Sequence, residues 1–311
     1  MKTKYVLISI LSLSSLMVTG CSERTEDNNM GTGTSETQYT EASDNSYNTS
    51  DDIQGDESGL GEIQTADVQA ARIAVTFEND NTLIGWGLGK NKDNLGRPLD
   101  AVNAQKKYGK YSSLFIDASE NDTIYLTFDE GYENGYTNEI LDTLKATGVK
   151  AAFFVTYDYC KTSPELVERM ISEGHTVGNH SYSHPSFPKC SESEVVYEVM
   201  MLHEYVKEQF GYEMSLFRFP MGEFSEKTMS QLQDMGYTSV FWSFAYQDWN
   251  ADKQPSADQA YETITSSSHC GGIYLLHAIS KANSDCLEDV IRYWQSSGFV
   301  IGDLEKLSSG L

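Results

Sequence analysis

Residues 123–137 read TIYLTFDEGYENGYT, a run of apolar and β-branched residues that stops at two adjacent carboxylates, Asp129 and Glu130, and passes through Gly131 into a polar, aromatic turn. A run without alternation reads as a strand buried on both faces, the state of a strand in a parallel sheet covered by helices. The phrase recurs downstream. Residues 150–155 (KAAFFV), 175–178, 216–219, 238–242 (TSVFW) and 272–276 (GIYLL) read as further strands, with Val300-Ile301 as a seventh. Helical periods fall between them at 138–147, 164–172, 192–210, 226–234, 257–267 and 284–296. Start and stop signals frame several: Ser163 before Pro164, a capping box at Ser191 and Glu194, Ser225 before Glu226, and Gly148, Gly174, Gly211, Gly236 and Gly298 just past the ends.

Repeated β-α units predict an α/β fold. A full eightfold barrel takes about 250 residues, so the shorter span here predicts a distorted (β/α) barrel of about seven parallel strands with an N-terminal extension. A doubly wound open sheet is the alternative. In both, chemistry gathers at the C-terminal ends of the strands. Residues 71–118 hold one apolar run (73–77), the string GWGLG (85–89) and a basic, turn-rich stretch to Tyr111. They read as the extension, packed on the barrel, before a main domain at 119–311.

The N-terminus reads differently. Lys2 and Lys4 precede an apolar run from Tyr5 to Val18, too short for a bilayer-spanning helix of about 20 residues, so residues 1–21 read as a secretory signal. Val18-Thr19-Gly20-Cys21 resembles the lipobox of bacterial lipoproteins, in which the cysteine (Cys21) is acylated; an ordinary cleaved signal or an uncleaved anchor are the alternatives. Either way the protein leaves the cytoplasm, and lipidation would hold it at the cell membrane. Residues 22–70 contain 12 acidic residues and one base, Arg24, with no apolar period, the composition of a disordered acidic linker. The whole chain has 46 Asp and Glu against 22 Lys and Arg, a formal charge of −24. Nucleic acid is excluded as a partner, because phosphate binding needs clustered bases. Cys160, Cys190, Cys270 and Cys286 lack the spacing of a structural zinc site and permit two disulfides in three connectivities or free thiols.

The strand ends deliver a set of chemical groups. The first ends at Asp129-Glu130, the third leads to His180 and His184, the fourth to Arg218, the fifth to Asp248-Trp249, and the sixth to His277. Each alone has an ordinary reading as a salt bridge or a surface histidine. Together on one face they supply a base, an acid and ligands for a divalent metal, the set of a hydrolase. His175, His203 and His269 read as ordinary residues, and Trp242 as core.

Five strings, TFDEG (127–131), HSYSH (180–184), RFPMG (218–222), DW (248–249) and LLH (275–277), resemble in order the five motifs of the polysaccharide deacetylase, or NodB-homology, family (carbohydrate esterase family 4) over about residues 119–305. The longer strings TFDEGYENGYT, FWSFAYQDW (241–249) and YLLHAIS (274–280) are similar to its peptidoglycan N-acetylmuramic acid deacetylase branch, which forms the muramic δ-lactam of spore cortex. N-acetylglucosamine deacetylase, acetyl-xylan esterase and a catalytically weak sugar-binding lipoprotein are the competing readings. The resemblance implies a distorted barrel acting on peptidoglycan glycan strands with a divalent metal, Zn²⁺, held by His180 and His184 with Glu130 as a further candidate. It implies Asp129 as base, oriented by Arg218, and His277 as acid beside Asp248. The backbone N–H of Met221 would meet the oxyanion, Leu275 and Trp249 the acetyl methyl, and Tyr132 the substrate. Two positions depart from the family: Glu130 stands where an Asp is usual, and Ala245 where the fourth motif has an acid. An acidic body facing an anionic sugar predicts that the metal, Arg218 and a few local bases create a positive cleft.

Overall fold

The computed structural model describes residues 79–310. The signal segment with Cys21, the acidic linker and the apolar run at 73–77 lie outside the described residues. Eight parallel strands form one sheet in the order β10 (Val300–Ile301), β3 (Thr123–Glu130), β4 (Ala152–Val155), β5 (Thr176–Asn179), β6 (Leu216–Phe217), β8 (Thr238–Val240) and β2 (Ser113–Leu114), with β9 (Gly272–His277) on the free edge of β3. The sheet curls until its ends meet. Ser243 N–H donates to Ile273 O (2.9 Å) and Leu275 N–H to Phe244 O (2.9 Å), joining the segment after β8 to β9. This is the expected distorted (β/α) barrel.

The period of two along each strand sorts the core into two layers. Tyr125, Ala152, Phe154, Leu216, Val240 and Ile273 point inward and form the barrel interior with Leu114 and Leu304. Ile124, Leu126, Phe128, Phe153, Val177, Phe217 and Leu276 point outward to the helices. Leu304 and Leu307, in the helix Leu304–Ser308, pack on the interior cluster and plug the N-terminal end of the barrel. Continuing the inward parity one step past the apolar layer reaches Asp129, His180, Arg218 and His277. The sequence reading of strands and helices holds closely for 123–301.

The extension is more structured than expected. Leu99–Tyr108 is a helix (α1) and Ser113–Leu114 joins the sheet beside β8. The α1 stripe is Ala101, Ala104 and Tyr108, and its two alanines leave a weak period among lysines and polar residues. A six-residue helix, Tyr157–Thr162, was likewise too short to register, and the last long helix, Lys281–Ser296, starts three residues before its expected point because Ser280 caps it. All four cysteines among the described residues are free.

The interior layer leaves little room beneath the strand ends. A Cβ on Gly178 would lie 2.5 Å from two ring carbons of Phe154. Gly178→Ala is expected to cost about 1–3 kcal/mol through overpacking, read as a lowered midpoint in thermal unfolding; an unchanged midpoint would show that the Phe154 ring is free to move.

Candidate active site

Asp129 ends β3 in register with His277 on β9 and Phe154 on β4. One oxygen accepts from Arg218 Nη1 at 2.7 Å, and the other faces His180 Nε2 at 3.6 Å. Burial opposes a charge on Asp129, but Arg218, with the protonated His277, outweighs it and holds the carboxyl below its ordinary range. Arg218 is fully buried. Its Nε donates to Val240 O (3.1 Å), its Nη2 to Phe241 O (3.3 Å), and its guanidinium lies 4.1 Å from the centroid of Phe154. Trp242, expected in the core, is instead half-buried with its ring 5.9 Å from the same guanidinium.

His277 bonds through Nδ1 to Asp248 Oδ1 (2.7 Å), and its backbone N–H donates to Asp248 Oδ2 (2.9 Å). Burial disfavours the imidazolium, yet Asp248 more than compensates and raises the affinity of His277 for its proton. Sequence reasoning missed Asn283, whose Nδ2 donates to Asp248 Oδ2 (2.7 Å) and to His277 O (3.1 Å) while its Oδ1 accepts from Tyr246. Ser280 caps the helix after β9, so Asn283 falls in the first turn beside the strand end. That position was a readable signal, since the turn following a barrel strand lies on the active face.

His180 and His184 have ring centroids 4.8 Å apart. His180 Nδ1 lies 2.9 Å from Arg218 O, a carbonyl that can only accept, so the proton sits on Nδ1 and the Nε2 lone pair is free. Burial lowers the proton affinity of the His180 ring; His184 is open to solvent, and desolvation with the neighbouring His180 lowers its proton affinity as well. A free Nε2 facing a carboxylate oxygen is a pair of acceptors that a cation would satisfy, and a hydrogen-bonded Nδ1–H is the usual support of a metal-binding imidazole. The two histidines therefore fit a divalent ion.

Glu130 does not join them. It has the outward parity of Phe128, is wholly buried, and neither carboxylate oxygen has a hydrogen-bond partner. Burial, with Glu133 and Asp129 nearby, raises its proton affinity well above the usual carboxylate range. Strand alternation turns it away from the face that carries Asp129, which corrects its expected place as a metal ligand. Among the described residues no three His, Cys, Asp or Glu side chains form a metal-holding group.

At the rim, Tyr132 is 53% exposed, Met221 46% and Trp249 51%, three large apolar residues left open around one opening. Trp249 stands 6.0 Å from the His277 ring, centroid to centroid. Leu275 is buried on the inward side of β9. His175 and His269, each held near 4 by burial, lie outside the cluster; His269 bonds Ser243 Oγ (2.8 Å). Among the described residues, Arg218 is the one Lys or Arg side chain among the leading influences on Asp129 and His277.

The Polysaccharide deacetylase family profile matches residues 117–240. The chain is 42% identical over 229 residues to an uncharacterized 30.6 kDa protein in the fumA 3' region of Geobacillus stearothermophilus, covering 73% of this chain and 86% of that one. It is 36% identical over 228 residues to the peptidoglycan-N-acetylmuramic acid deacetylase PdaA of Bacillus subtilis, again 73% of this chain and 86% of the relative. The structure of that PdaA, a family 4 carbohydrate esterase, superposes with a TM-score of 0.71 over 74% of this chain and 99% of its own. A peptidoglycan-N-acetylglucosamine deacetylase of Bacillus cereus is 31% identical over 193 residues, covering 61% of this chain and 69% of the relative.

The raised proton affinity of His277 has a stability consequence. Its pairing with Asp248 contributes fully below the ordinary imidazole value of about 6.5 and is lost as pH rises through the higher folded value. Asp248→Asn is expected to lose about 2 kcal/mol at mildly acidic pH, with the gap to the wild type narrowing in alkaline solution. Urea unfolding of both proteins across pH checks this; a gap that widens with pH would contradict the assignment.

Proposed function

Because the chain belongs to the polysaccharide deacetylase family, we propose that it removes the acetyl group from N-acetylmuramic acid in peptidoglycan, freeing an amine that closes onto the lactyl carboxyl as muramic δ-lactam. The observation that carries this choice of sugar is the likeness to the muramic acid deacetylase, which extends over more of both chains than the likeness to the glucosamine deacetylase.

Asp129, kept ionised by Arg218, takes the proton of the attacking water. The N–H of Met221, on the turn after β6, donates to the carbonyl oxygen as it gains charge. His277, kept protonated by Asp248, hands its proton to the departing amine. Leu275 and Trp249 receive the acetyl methyl, and Tyr132 borders the sugar. His180 and His184 would hold a divalent ion, Zn²⁺, which when bound would supply Lewis acidity toward the acetamide carbonyl. Binding alone would need neither a base nor an acid, which weighs against a purely sugar-binding role.

The N-terminal reading supports a lipoprotein outside the cytoplasm, anchored through Cys21 and tethered by residues 22–70 so that the barrel reaches the wall, in a sporulation role. Cys21→Ser is expected to move the protein from the membrane to the soluble fraction; unchanged membrane retention would argue for an uncleaved anchor.

The product decides the sugar. Mass spectrometry of treated peptidoglycan is expected to find muramic δ-lactam, whereas deacetylated glucosamine beside intact muramic acid would sink the proposal. Asp129→Asn and His277→Ala should each lower acetate release by about 10²–10⁴-fold, and a chelator should abolish it. Full release by either variant would contradict the roles assigned.

A further inference from the structure

The turn that carries Met221 cannot hold its own conformation. Met221 has φ of +57° and Gly222 of +66°, two left-handed residues in succession. For the methionine this costs about 1–3 kcal/mol, and such a turn persists only where its surroundings fix it. Here the surroundings are the N-terminal extension. Strand β1 (Ile84–Gly85) pairs antiparallel with β7 (Glu223–Phe224), directly after the turn. The backbone N–H of Trp86 donates to Gly222 O at 2.9 Å, and its indole Nε1–H to Trp242 O at 3.0 Å. Its Cβ lies 3.2 Å from where a side chain on Gly222 would begin. The indole ring packs edge-on against Phe115 and Phe241, at centroid distances of 4.7 and 6.1 Å. Phe241 and Val240 are the residues whose carbonyls hold Arg218. One residue thus bridges the turn of Met221 and the strand end that fixes the arginine.

We propose that Trp86 is a positioning residue of the deacetylase site: it sets the Met221 N–H and the Arg218 clamp in register, and makes the extension part of the catalytic unit. This rests on the reading of Met221 as the oxyanion donor. It assigns a role to a segment that precedes the family match, which begins at residue 117.

The test uses the full chain bearing Trp86→Phe or Trp86→Ala, with acetate release from peptidoglycan and amide hydrogen exchange as readouts. The phenylalanine keeps an aromatic ring and the backbone N–H but lacks Nε1–H and the second ring of the indole, so kcat should fall by about tenfold with KM nearly unchanged. The alanine should lower kcat by about 100-fold and speed exchange in peptides covering 219–224 by at least about tenfold, while 180–184 and 275–277 stay as in the wild type. Wild-type kcat in either variant, or exchange rising evenly around the barrel, would reduce Trp86 to packing and overturn the proposal. If Trp86→Ala does not fold, the phenylalanine variant decides alone. If the wild type releases no acetate from peptidoglycan, the functional reading fails by itself; faster exchange confined to 219–224 would still support Trp86 as the support of the turn, and unchanged exchange there would overturn it.

Discussion

The ion pair between Arg218 and Asp129 is the constraint on which the site depends. Removing a guanidinium from water costs several kcal/mol, recovered only when its donors find partners. Here they do: Asp129, Val240 and Phe241 each take one, and Phe154 covers the flat face. The backbone carbonyl of the same arginine takes His180 Nδ1. Through one residue β3, β4, the end of β5, β6 and β8 are tied together, so the packing of the barrel and the geometry of the chemistry are one problem. A lysine has no planar fork with which to reach three acceptors divided between β3 and the end of β8.

The charges at the mouth nearly cancel. Asp129 and Asp248 stand against Arg218 and a protonated His277, so the expected cluster of local bases is absent from the centre of the site. Under the proposed function, a net positive potential toward an anionic sugar would fall to a divalent ion at the histidine pair. The acidic balance of the chain, −24 in all, makes that dependence sharper.

Much of the fold was readable because strands buried on both faces leave continuous apolar runs and helices leave caps. The same alternation correctly brings Asp129, His180, Arg218 and His277 together, and read one residue further it would have turned Glu130 away. Asn283 was missed because a lone Asn in a helix carries no period, and Trp86 because its partners Gly222 and Trp242 lie 136 and 156 positions away in sequence. The small-residue stripe of α1 hid a helix among lysines. Such groups are defined by partners rather than by pattern, and partners appear only once the chain is folded.

Two of the three two-residue strands of the barrel, β10 and β2, each pair over a short stretch of one neighbour. β10 pairs with β3 at residues 123–124, below the stretch 127–130 that meets β4, and β2 pairs with β8 at residues 239–240, below the place where Phe244 reaches β9. β10 therefore adds a stave only beside the start of β3, whereas Leu114 O accepts from Phe241 N–H at 2.7 Å and carries β2 up to the residues that hold Arg218. Asp129, Arg218 and His277 stand above an interior already filled by side chains, so under the proposed function a glycan strand would present its acetamido group to them from the rim.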